Sequence, residues 1–580
     1  MQEVSQAYRD SMKEKLRNQS YIKINLGIIN QEAQNNAEIA DKSGHNYFSQ
    51  YDIFGTPDTS QIYATYETNF GKVDGSMYFP PKPGGSFFYN GIVSNTMGGS
   101  LKILFNALPL DIKGLTIDFG DTYPTKFSIV TDTETVTYEN DKRVFETEDT
   151  FREITYLHIV TEEMRYPDNR LRVYSIQFGL GLVFDGKIIK EATMDDYCSP
   201  ITENIPQIDL TLILINKDKA YNVDNEDSFI NFLETGQECQ IYYGYDLGGG
   251  NIEWLQGNSL KAHTWNANDE EVTITCVDTL RLLTGNYYKD TMHENGITLF
   301  QLAINVLTDA GVEPEMYFVD ESLKDIIIYN PLPNVPCKSA LQIIANAGCC
   351  SLRQDRKGVI RLEPADTLGI ETDFEIDYGD MLENPLGQQC EKISEVKVYR
   401  TTYSKSTQLE QLVTETLIVT NEQTEIFYFN SPVYNLSCGL SNAASGQTVR
   451  ILSQGAYYVE VIFEGFSSET NIEFYVNGYT YIRSQAITTN KINNRGLTKE
   501  WTNPLISTVA QAQRLAQWLG NYYRADKEYS YTYRGNPELD TNDIIKQENL
   551  YVPNMRVNVL QNKITYNGGI SGKIRTRRMG

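Results

Sequence analysis

IDLTLILI (residues 208–215), QIYYGY (240–245) and VTITCV (272–277) are three runs rich in β-branched and aromatic residues. Such residues favour strands, and the glycine-rich LGGGN at 247–251 tolerates the positive φ angles that a hairpin turn needs. The run at 208–215 is apolar at nearly every position, which predicts that both of its faces are covered. This central region is therefore predicted to be a β-domain.

The residues before it predict a short helix and one isolated strand. Val4, Tyr8, Met12 and Leu16 recur at every fourth position, which is typical of an amphipathic helix over residues 4–18. YIKINLGII at 21–29 alternates as a strand does. The polar stretch that follows, to about residue 50, is predicted to be a linker.

Residues 51–178 carry short β-runs separated by Gly, Pro, Asp and Asn. Examples are LTIDF (115–119), KFSIV (126–130), TVTY (135–138) and LRVYSIQF (171–178). Strands at this spacing, with turn residues between them, indicate a self-contained β-sandwich.

The C-terminal half mixes helices and strands. Apolar spacing predicts helices at 298–310, at 339–348 with Ser339 as N-cap and Gly348 just past the end, and at 507–523. DRKG at 355–358 is predicted to be a hairpin turn. Residues 391–505 are β-rich, and a strand with Tyr529, Tyr531 and Tyr533 on one face follows the last helix.

Composition narrows the function. The 580 residues include 41% hydrophobic residues, which predicts packed cores, and 76 acidic against 50 basic residues give a net charge of −26. Such a charge excludes a general nucleic-acid binder and fits a surface that repels DNA. The eight cysteines form no CxxC pair and are predicted to be reduced core residues, so folding in a reducing cytoplasm is expected. No signal peptide or membrane-spanning run is recognised.

Catalytic motifs are missing from the sequence. GxSxG, HExxH and GxxxxGK[ST] do not occur. The Cys349–Cys350 pair follows a predicted helix C-terminus, where the helix dipole disfavours a thiolate. The histidines are far apart in sequence, at His45, His158, His263 and His293. A carboxylate-rich loop, predicted to be a solvated turn, contains Asp218, Asp224, Glu226 and Asp227. We therefore expect no enzyme activity, no cofactor and no metal.

The best ligand candidate is the aromatic run in MYFPPKPGGSFFYN (77–90). Exposed rings there would stack on sugars or contact another protein, and the candidate residues are Tyr78, Phe87, Phe88 and Tyr89. The alternative is that half of these rings, Phe79 among them, point into the sandwich core, as strand alternation demands.

Several segments resemble baseplate hub proteins of tailed phages of Gram-positive bacteria. SPITENIPQIDLTLILINKDKAYNVDNEDSFINFLETGQECQIYYGYDL, EWLQGNSL and VTITCVDTLRLL resemble the first hub barrel. SALQIIANAGCCSLRQDRKGVIRLEP resembles the connecting domain. AQRLAQWLGNYYRADKEYSYTYRGNPELDTNDII and ITYNGGISG resemble the second barrel. The four segments occur in the family's order and cover most of residues 180–580.

The N-terminal β-runs resemble a different family. GLTIDFGDTYPTKFSIV and RLRVYSIQFG are similar to galactose-binding-like (discoidin-type) β-sandwiches, a family with carbohydrate-binding ancestry. The flanking strands would then belong to the hub, which makes the sandwich an insertion.

The resemblance implies a mainly β protein with an α+β connecting domain, two hub β-barrels and an inserted jelly-roll-like sandwich. The expected divisions are 1–50 (helix, first hub strand and linker), 51–178 (sandwich), 179–290 (first barrel), 291–390 (connecting domain), 391–505 (second-barrel region) and 506–580 (helix and terminal strands).

The function that the resemblance implies is a structural hub of a phage or phage-derived tail tip, assembled in the host bacterial cytoplasm and carried in the virion. Implied partners are two further copies in a homotrimer, a distal tail or tube protein, the tape measure protein, and a tail fibre or receptor-binding protein. A host glycan is a candidate ligand of the sandwich, and DNA is a partner only in transit. The alternatives are a receptor-binding adhesin and a tail-associated peptidoglycan hydrolase.

Overall fold

The computed structural model describes residues 1–30, 32–33, 37–40, 45–47, 51–53, 56–57, 92–105, 109–173, 175–249, 251–365 and 370–579. The α-helices are α1 (Gln6–Lys13), α2 (Thr279–Leu282), α3 (Leu299–Asp309), α4 (Cys337–Gly348) and α5 (Val509–Tyr523). Within these ranges no helix combines the length and apolar character that crossing a bilayer requires. The protein is mainly β, as predicted.

The strands fall into groups along the chain. The N-terminal strand is β1 (Ser20–Ile29). The insertion contains β2 (Ala37–Ile39), β3 (His45–Tyr47), β4 (Tyr51–Ile53), β5 (Thr56–Pro57), β6 (Ile92–Met97), β7 (Ser100–Phe105), β8 (Leu110–Asp118), β9 (Pro124–Val130), β10 (Thr135–Glu139), β11 (Val144–Ile154), β12 (Tyr156–Met164), β13 (Arg170–Val173) and β14 (Ser175–Gln177). The central region contains β15 (Gly179–Asp185), β16 (Ile189–Tyr197), β17 (Gln207–Ile215), β18 (Glu238–Asp246), β19 (Ile252–Ala267) and β20 (Glu271–Val277).

The remaining strands follow α2. The α+β module contains β21 (Asn286–Tyr287), β22 (Ile297–Thr298), β23 (Tyr317–Val319), β24 (Ile327–Ile328), β25 (Val335–Pro336), β26 (Cys350–Gln354) and β27 (Ile360–Pro364). Next come β28 (Ile370–Ile376) and β29 (Leu386–Gln389). A long-hairpin module contains β30 (Ile393–Val419), β31 (Gln423–Tyr428), β32 (Val433–Leu440), β33 (Thr448–Gln454), β34 (Tyr458–Glu464), β35 (Thr470–Lys491) and β36 (Leu497–Thr502). The last strands are β37 (Lys527–Tyr533), β38 (Asp543–Gln547), β39 (Met555–Tyr566) and β40 (Ile570–Arg578).

Thirteen strands form one large sheet. Its order is β15-β1-β18-β19-β20-β17-β16-β39-β40-β37-β29, and β38 pairs with β39 and β28. We call β1 and β15–β20 the first half, and β28, β29 and β37–β40 the second half. The halves meet where residues 192–197 of β16 pair antiparallel with residues 561–566 of β39, which we call the seam.

The prediction of two closed barrels is wrong for the described residues. A barrel closes only when its first and last strands pair, whereas β15 and β29 lie at opposite ends of one strand order. The halves also share one hydrophobic core, in which Ile24, Leu212 and Ile274 meet Tyr531 and Val557. Strands expected in separate barrels therefore build one open sheet with a common core.

Strand β17 is covered on one face only. Leu210, Leu212 and Leu214 are buried, while Thr211 and Ile213 between them are partly exposed. The prediction that both faces are covered assigns the second face to a helix or a neighbouring copy, so for a single chain it stays a prediction.

The insertion leaves and re-enters the sheet at neighbouring positions, since Ile29 and Gly179 are register partners in the β1–β15 pair. Its strands form the sheets β10-β9-β12-β7-β2, β11-β8-β14 and β13-β6-β3 around a core of their own. Strand β2 lies in the stretch predicted to be a linker and pairs with β7, so that prediction is wrong for residues 37–39.

Two further modules follow the first half. In the α+β module, α3 and α4 pack with the sheet β23-β27-β26, in a core shared with α5 and the base of β30. The long-hairpin module consists of the sheets β32-β35-β30-β36 and β31-β34-β33. Its strands were predicted to belong to a second barrel, but none of those described pairs with the large sheet.

Two helix ends differ from their predictions. Helix α1 ends at Lys13, where the Arg17 guanidinium donates to the Met12 carbonyl, and Leu16 beyond it is 90% exposed. Helix α4 includes Gly348, and the left-handed position falls on Cys349 at φ +56°. A Cβ at residue 348 would lie 2.6 Å from Leu323, so the glycine serves helix packing instead of the turn.

Candidate functional site

The aromatic candidates of the insertion, Tyr78, Phe87, Phe88 and Tyr89, lie outside the described residues, as does Phe79. No statement about their exposure or mutual distance follows from the structure. The sugar-contact hypothesis at this run stays a prediction.

The cysteines and histidines form no metal-binding cluster in the described part of the chain. All eight cysteines are free thiols, six of them buried, as the sequence predicted. Burial raises the pKa of Cys349 to about 11, so its thiol stays protonated at neutral pH despite the nearby Arg514. His293 is paired with the buried Asp290 at 3.0 Å. The acidic loop is exposed at Asp224, Glu226 and Asp227, which fits a solvated turn.

The most extensively hydrogen-bonded charged group is Arg356, in the DRKG turn. Its guanidinium donates to the Asp540 carboxylate at 2.8 Å and to the Gln2 side chain at 2.8 Å. It also donates to the backbone carbonyls of Gln256, Pro537 and Leu539. All five N–H donors of an arginine are thereby used. One side chain thus ties the α+β module to both halves of the sheet.

Carboxylates of the loop before β38 complete this cluster. The Met1 amino group lies 2.9 Å from both Asp540 and Asp543. Burial alone would raise the pKa of Asp540, but Arg356 and that amino group hold it below its usual value. We call Arg356, Asp540, Asp543, Asp196 and the Met1 amino group the joint network.

Asp196 is the member of the joint network that lies on the seam. Burial, assisted by the negative charge of Asp540, raises its pKa to about 7. Its carboxyl accepts a hydrogen bond from the Thr541 hydroxyl at 3.2 Å. This carboxyl therefore titrates near neutral pH at the contact between the two halves.

Helix α1 closes the same end of the sheet and leaves clefts on both sides. One cleft of about 310 Å³ is lined by Tyr8, Tyr245 and Arg534, and another of about 230 Å³ by Arg9 and Glu538, while Arg17 borders both. Arg17 and Arg534 share the Asp380 carboxylate, at 3.2 and 3.7 Å. These ion pairs, together with that of Arg9 and Glu538, hold α1 in place.

The outer face of the large sheet, opposite its core, is polar. A row of hydroxyl side chains crosses six neighbouring strands in register. Its members are Ser571, Thr565, Thr193, Thr211, Thr275 and Thr264. This hydroxyl row passes over the seam, where the hydroxyls of Thr193 and Thr565 are 3.0 Å apart.

The main strand order ends in two unpaired edge strands, β15 and β29, and the branch strand β28 has a further free edge in the described chain. Val183 on β15 is 57% exposed and Leu386 on β29 is 74% exposed. Strand β29 (LGQQ) carries no charge and no proline, the usual devices that protect an edge strand. The start of β15 is partly covered, because the Thr116 hydroxyl donates to the Gly179 carbonyl. Each end can therefore accept a further strand.

Sequence reasoning located none of the joint network. Arg356 lay in a segment correctly predicted to be a turn, and nothing in DRKG indicates that its arginine reaches residues 2, 256 and 540. The hydroxyl row was visible only as alternate threonines within strands whose neighbours were unknown.

No protein-family model matches the sequence, and no curated protein matches it. Solved structures of phage tail proteins are structurally similar at low identity. The 43 kDa tail protein of prophage MuSo2 from Shewanella oneidensis is 12% identical, covering 68% of this chain and 95% of that chain at a TM-score of 0.37. A tail protein from Neisseria meningitidis MC58 is 9% identical, with coverages of 69% and 93% and a TM-score of 0.38.

The prophage tail protein gp18 from Listeria monocytogenes EGD-e is also 9% identical, with coverages of 69% and 91% and a TM-score of 0.37. At these identities and TM-scores the likenesses do not assign a function to this chain.

Proposed function

We propose that the protein is a structural hub of a phage or phage-derived tail tip, in which copies join through their large sheets into a ring that continues the tail tube. The observation that carries this proposal is the open sheet of 13 strands with an unpaired strand at each end. The hub-like segments of the sequence, in the family's order, support the same function.

Pairing of β15 in one copy with β29 in the next would be a head-to-tail contact. Contacts of this kind generate a closed ring when the rotation between copies closes. Strand β29 has no charged residue and β15 has only Asp185 at its end, and each strand exposes a large apolar side chain, Val183 or Leu386. The resemblance to hub proteins implies three copies in such a ring.

The modules outside the large sheet are available for other tail components. The insertion, with its own core, and the long-hairpin module both leave the sheet without contributing a strand to it. We assign them to contacts with the distal tail or tube protein, the tape measure protein and a fibre or receptor-binding protein. The chain acts without catalysis in this proposal.

The proposal is tested by imaging particles in which this chain is labelled. A threefold ring around the tail axis is expected. Six copies, or a position on a peripheral fibre, would contradict the hub and favour the adhesin.

An edge variant tests the contact itself. Leu386→Lys combined with Gln389→Pro should leave a folded chain that is not incorporated into tails, because the N–H of residue 389 faces the open edge and β29 can no longer accept a partner strand. Leu452→Lys, on an exposed site of the long-hairpin module, is the matched control and should be incorporated normally. Normal incorporation of the edge variant would exclude pairing through β29.

Loss of the chain separates the alternatives. A hub mutant makes no tails, whereas an adhesin mutant makes complete particles that do not adsorb. A peptidoglycan hydrolase would clear Gram-positive cell walls in a zymogram, and the purified chain is expected to leave the gel blank.

A further inference from the structure

Trp254 lies on the outer face of the first half, at the start of β19. Its register partner on β18 is Gly244, and the flanking pair Tyr243 and Leu255 points to the opposite, buried side. Strand alternation therefore directs the indole outward. Trp254 is 40% exposed and is the most exposed of the four tryptophans.

The indole lies face down on Gly244. Three atoms of its six-membered ring, Cε3, Cζ3 and Cη2, are each 3.0 Å from the point that a Cβ at residue 244 would occupy. A point equidistant from three atoms of a regular ring lies on the axis through the ring centre. The glycine thus leaves room for the ring against the strand pair, and the Lys23 ammonium lies over the ring, so a flat ligand would take the place of that ammonium.

Polar side chains of the same face surround the ring. Tyr21 is the register partner of Gly244 on β1, and Tyr242 is paired with Lys23 and Gln256. The Lys23 ammonium lies 4.8 Å from the Trp254 ring centroid. Its stem is flexible enough to swing aside and donate to a hydroxyl on a ligand. These neighbouring side chains, which we call the rim, place phenol, amide and ammonium groups around the Trp254 ring.

The size and polarity of this surface indicate which class of ligand fits it. A stable protein interface buries about 800 Å² per partner around a cluster of apolar anchors. Here a single indole is surrounded by polar side chains, which is too small an anchor for that purpose. A pyranose ring has an apolar face the size of the indole and hydroxyls around its edge, so it matches both the ring and the rim.

We propose that Trp254, with Tyr21, Lys23, Tyr242 and Gln256, is a saccharide-binding platform for a pyranose-containing glycan. The platform is next to the hairpin turn at 247–251, near one end of the strands, and it is separate from the aromatic run at 77–90. The proposal does not depend on the hub function, since it concerns the isolated chain.

The test uses the full-length chain and native gels cast with solubilised bacterial cell-wall polysaccharide, dextran or galactomannan. Wild-type protein should be retarded by at least one of these, and Trp254→Ala should weaken binding by at least about tenfold. Binding should also change the tryptophan emission of the wild type. Trp254→Phe should remove that change, although the other three tryptophans remain.

Two variants separate the platform from general damage. Gly244→Ala places a methyl group on the ring axis and should displace the indole, reducing affinity while thermal unfolding stays unchanged. Thr264→Ala, an exposed residue of the same face and strand, should bind as the wild type does.

Three outcomes would overturn the proposal. They are an absence of wild-type retardation in all three gels, retardation that survives Trp254→Ala, and loss of a tail-protein contact in Trp254→Ala without any glycan effect. In the second case, loss of binding on changing Phe87, Phe88 and Tyr89 to Ala would place the sugar site in the insertion.

Discussion

The two halves of the large sheet differ in what holds them together. In the first half, fully buried aliphatic side chains such as Ile24, Leu212 and Ile274 face the core. The second half buries tyrosines together with many polar groups. Those polar residues include Asn536, Glu538, Asn542, Asp543, Gln547, Asn558, Asn562 and Thr576. The difference shows that apolar burial stabilises the first half, whereas the second half combines apolar burial with a buried hydrogen-bond network.

Many polar groups of the second half form hydrogen bonds with one another and with distant segments. Gln547 accepts hydrogen bonds from the hydroxyls of Tyr531 and Thr576, and Asn562 accepts one from Tyr533. The Tyr8 hydroxyl of α1 donates to Asn536. Because a buried polar group that loses its partner is costly, the second half depends on α1 and the DRKG turn staying in place.

The largest effect is expected from Arg356→Ala. It removes five hydrogen bonds and leaves Asp540 with the Met1 amino group as its remaining ionic partner, at a cost of about 3–4 kcal/mol for this partly buried pair. Hydrogen exchange should show faster opening of β38 and β39, with β17 and β20 less affected. Exchange that accelerates equally in both halves would contradict the assignment of this arginine to the second half.

Arg356→Lys is the control for charge. Lysine keeps the positive charge but has three donors on one atom in place of a five-donor fork. It should recover less than half of the lost stability. Full recovery would mean that the positive charge alone stabilises the joint network, without the hydrogen bonds to Gln256, Pro537 and Leu539.

The next effect is expected from Leu212→Ala in the first half. Truncation of a fully buried leucine removes apolar burial and leaves a cavity, at a cost of about 3 kcal/mol. The loss should be the same at low and high salt, unlike that of Arg356→Ala, because no charge is involved. Ile213→Ala on the outer face is the matched control and should cost less than about 1 kcal/mol.

The same difference explains how much the sequence could predict. Strand β17 was predicted correctly because its apolar residues are next to one another in the chain. The second half was misassigned because its polar residues resemble surface residues until their partners are known. Residues 391–505 were expected to pair with residues 506–580. Instead, strands β28 and β29, which follow the α+β module in the chain, pair with β38 and β37.

The sequence identified a candidate site where several aromatic residues are close together in the chain. It did not identify Trp254, whose position depends on a residue of the neighbouring strand. Trp254 stands in EWLQ with no neighbouring aromatic residue, and its flat position depends on Gly244, which lies across the strand pair. Which residues form such a site depends on the strand register and on the sheet face that each side chain occupies. Neither can be predicted until the strand pairing is known.

A smaller effect is expected from Asp196→Asn, which should increase the stability of the folded protein where the earlier variants decrease it. The folded-state pKa of about 7 lies above that of the unfolded chain, so folding takes up a proton. The contribution of this carboxyl to stability is therefore fully present below about pH 4 and is lost as the pH rises to about 7. The variant should lack this loss and be more stable than the wild type by about 2 kcal/mol at pH 8.

Urea unfolding of wild type and Asp196→Asn between pH 5 and pH 8 measures this difference. The gap should widen with pH and level off above pH 7. A constant gap would show that the carboxyl stays ionised in the folded protein. Asp195→Asn, on the same strand but bonded to Gln561, is the matched control for a carboxylate-to-amide change.

The smallest effect is expected at the seam itself, on the hydroxyl row. Thr193 and Thr565 face each other across β16 and β39 with their hydroxyls 3.0 Å apart, and both side chains are partly exposed. Valine keeps the shape and the strand preference of threonine, so each single Thr→Val change leaves one hydroxyl to bond with water and should cost under about 0.5 kcal/mol. Cross-strand threonine pairs are coupled by about 0.2–1 kcal/mol, so the double variant should deviate from additivity by about 0.5 kcal/mol. Thr211→Val combined with Thr565→Val, which are not direct partners, should be additive. If the seam pair is additive as well, the outer-face hydroxyls do not join the halves, and the seam is held by its backbone ladder and the core beneath it.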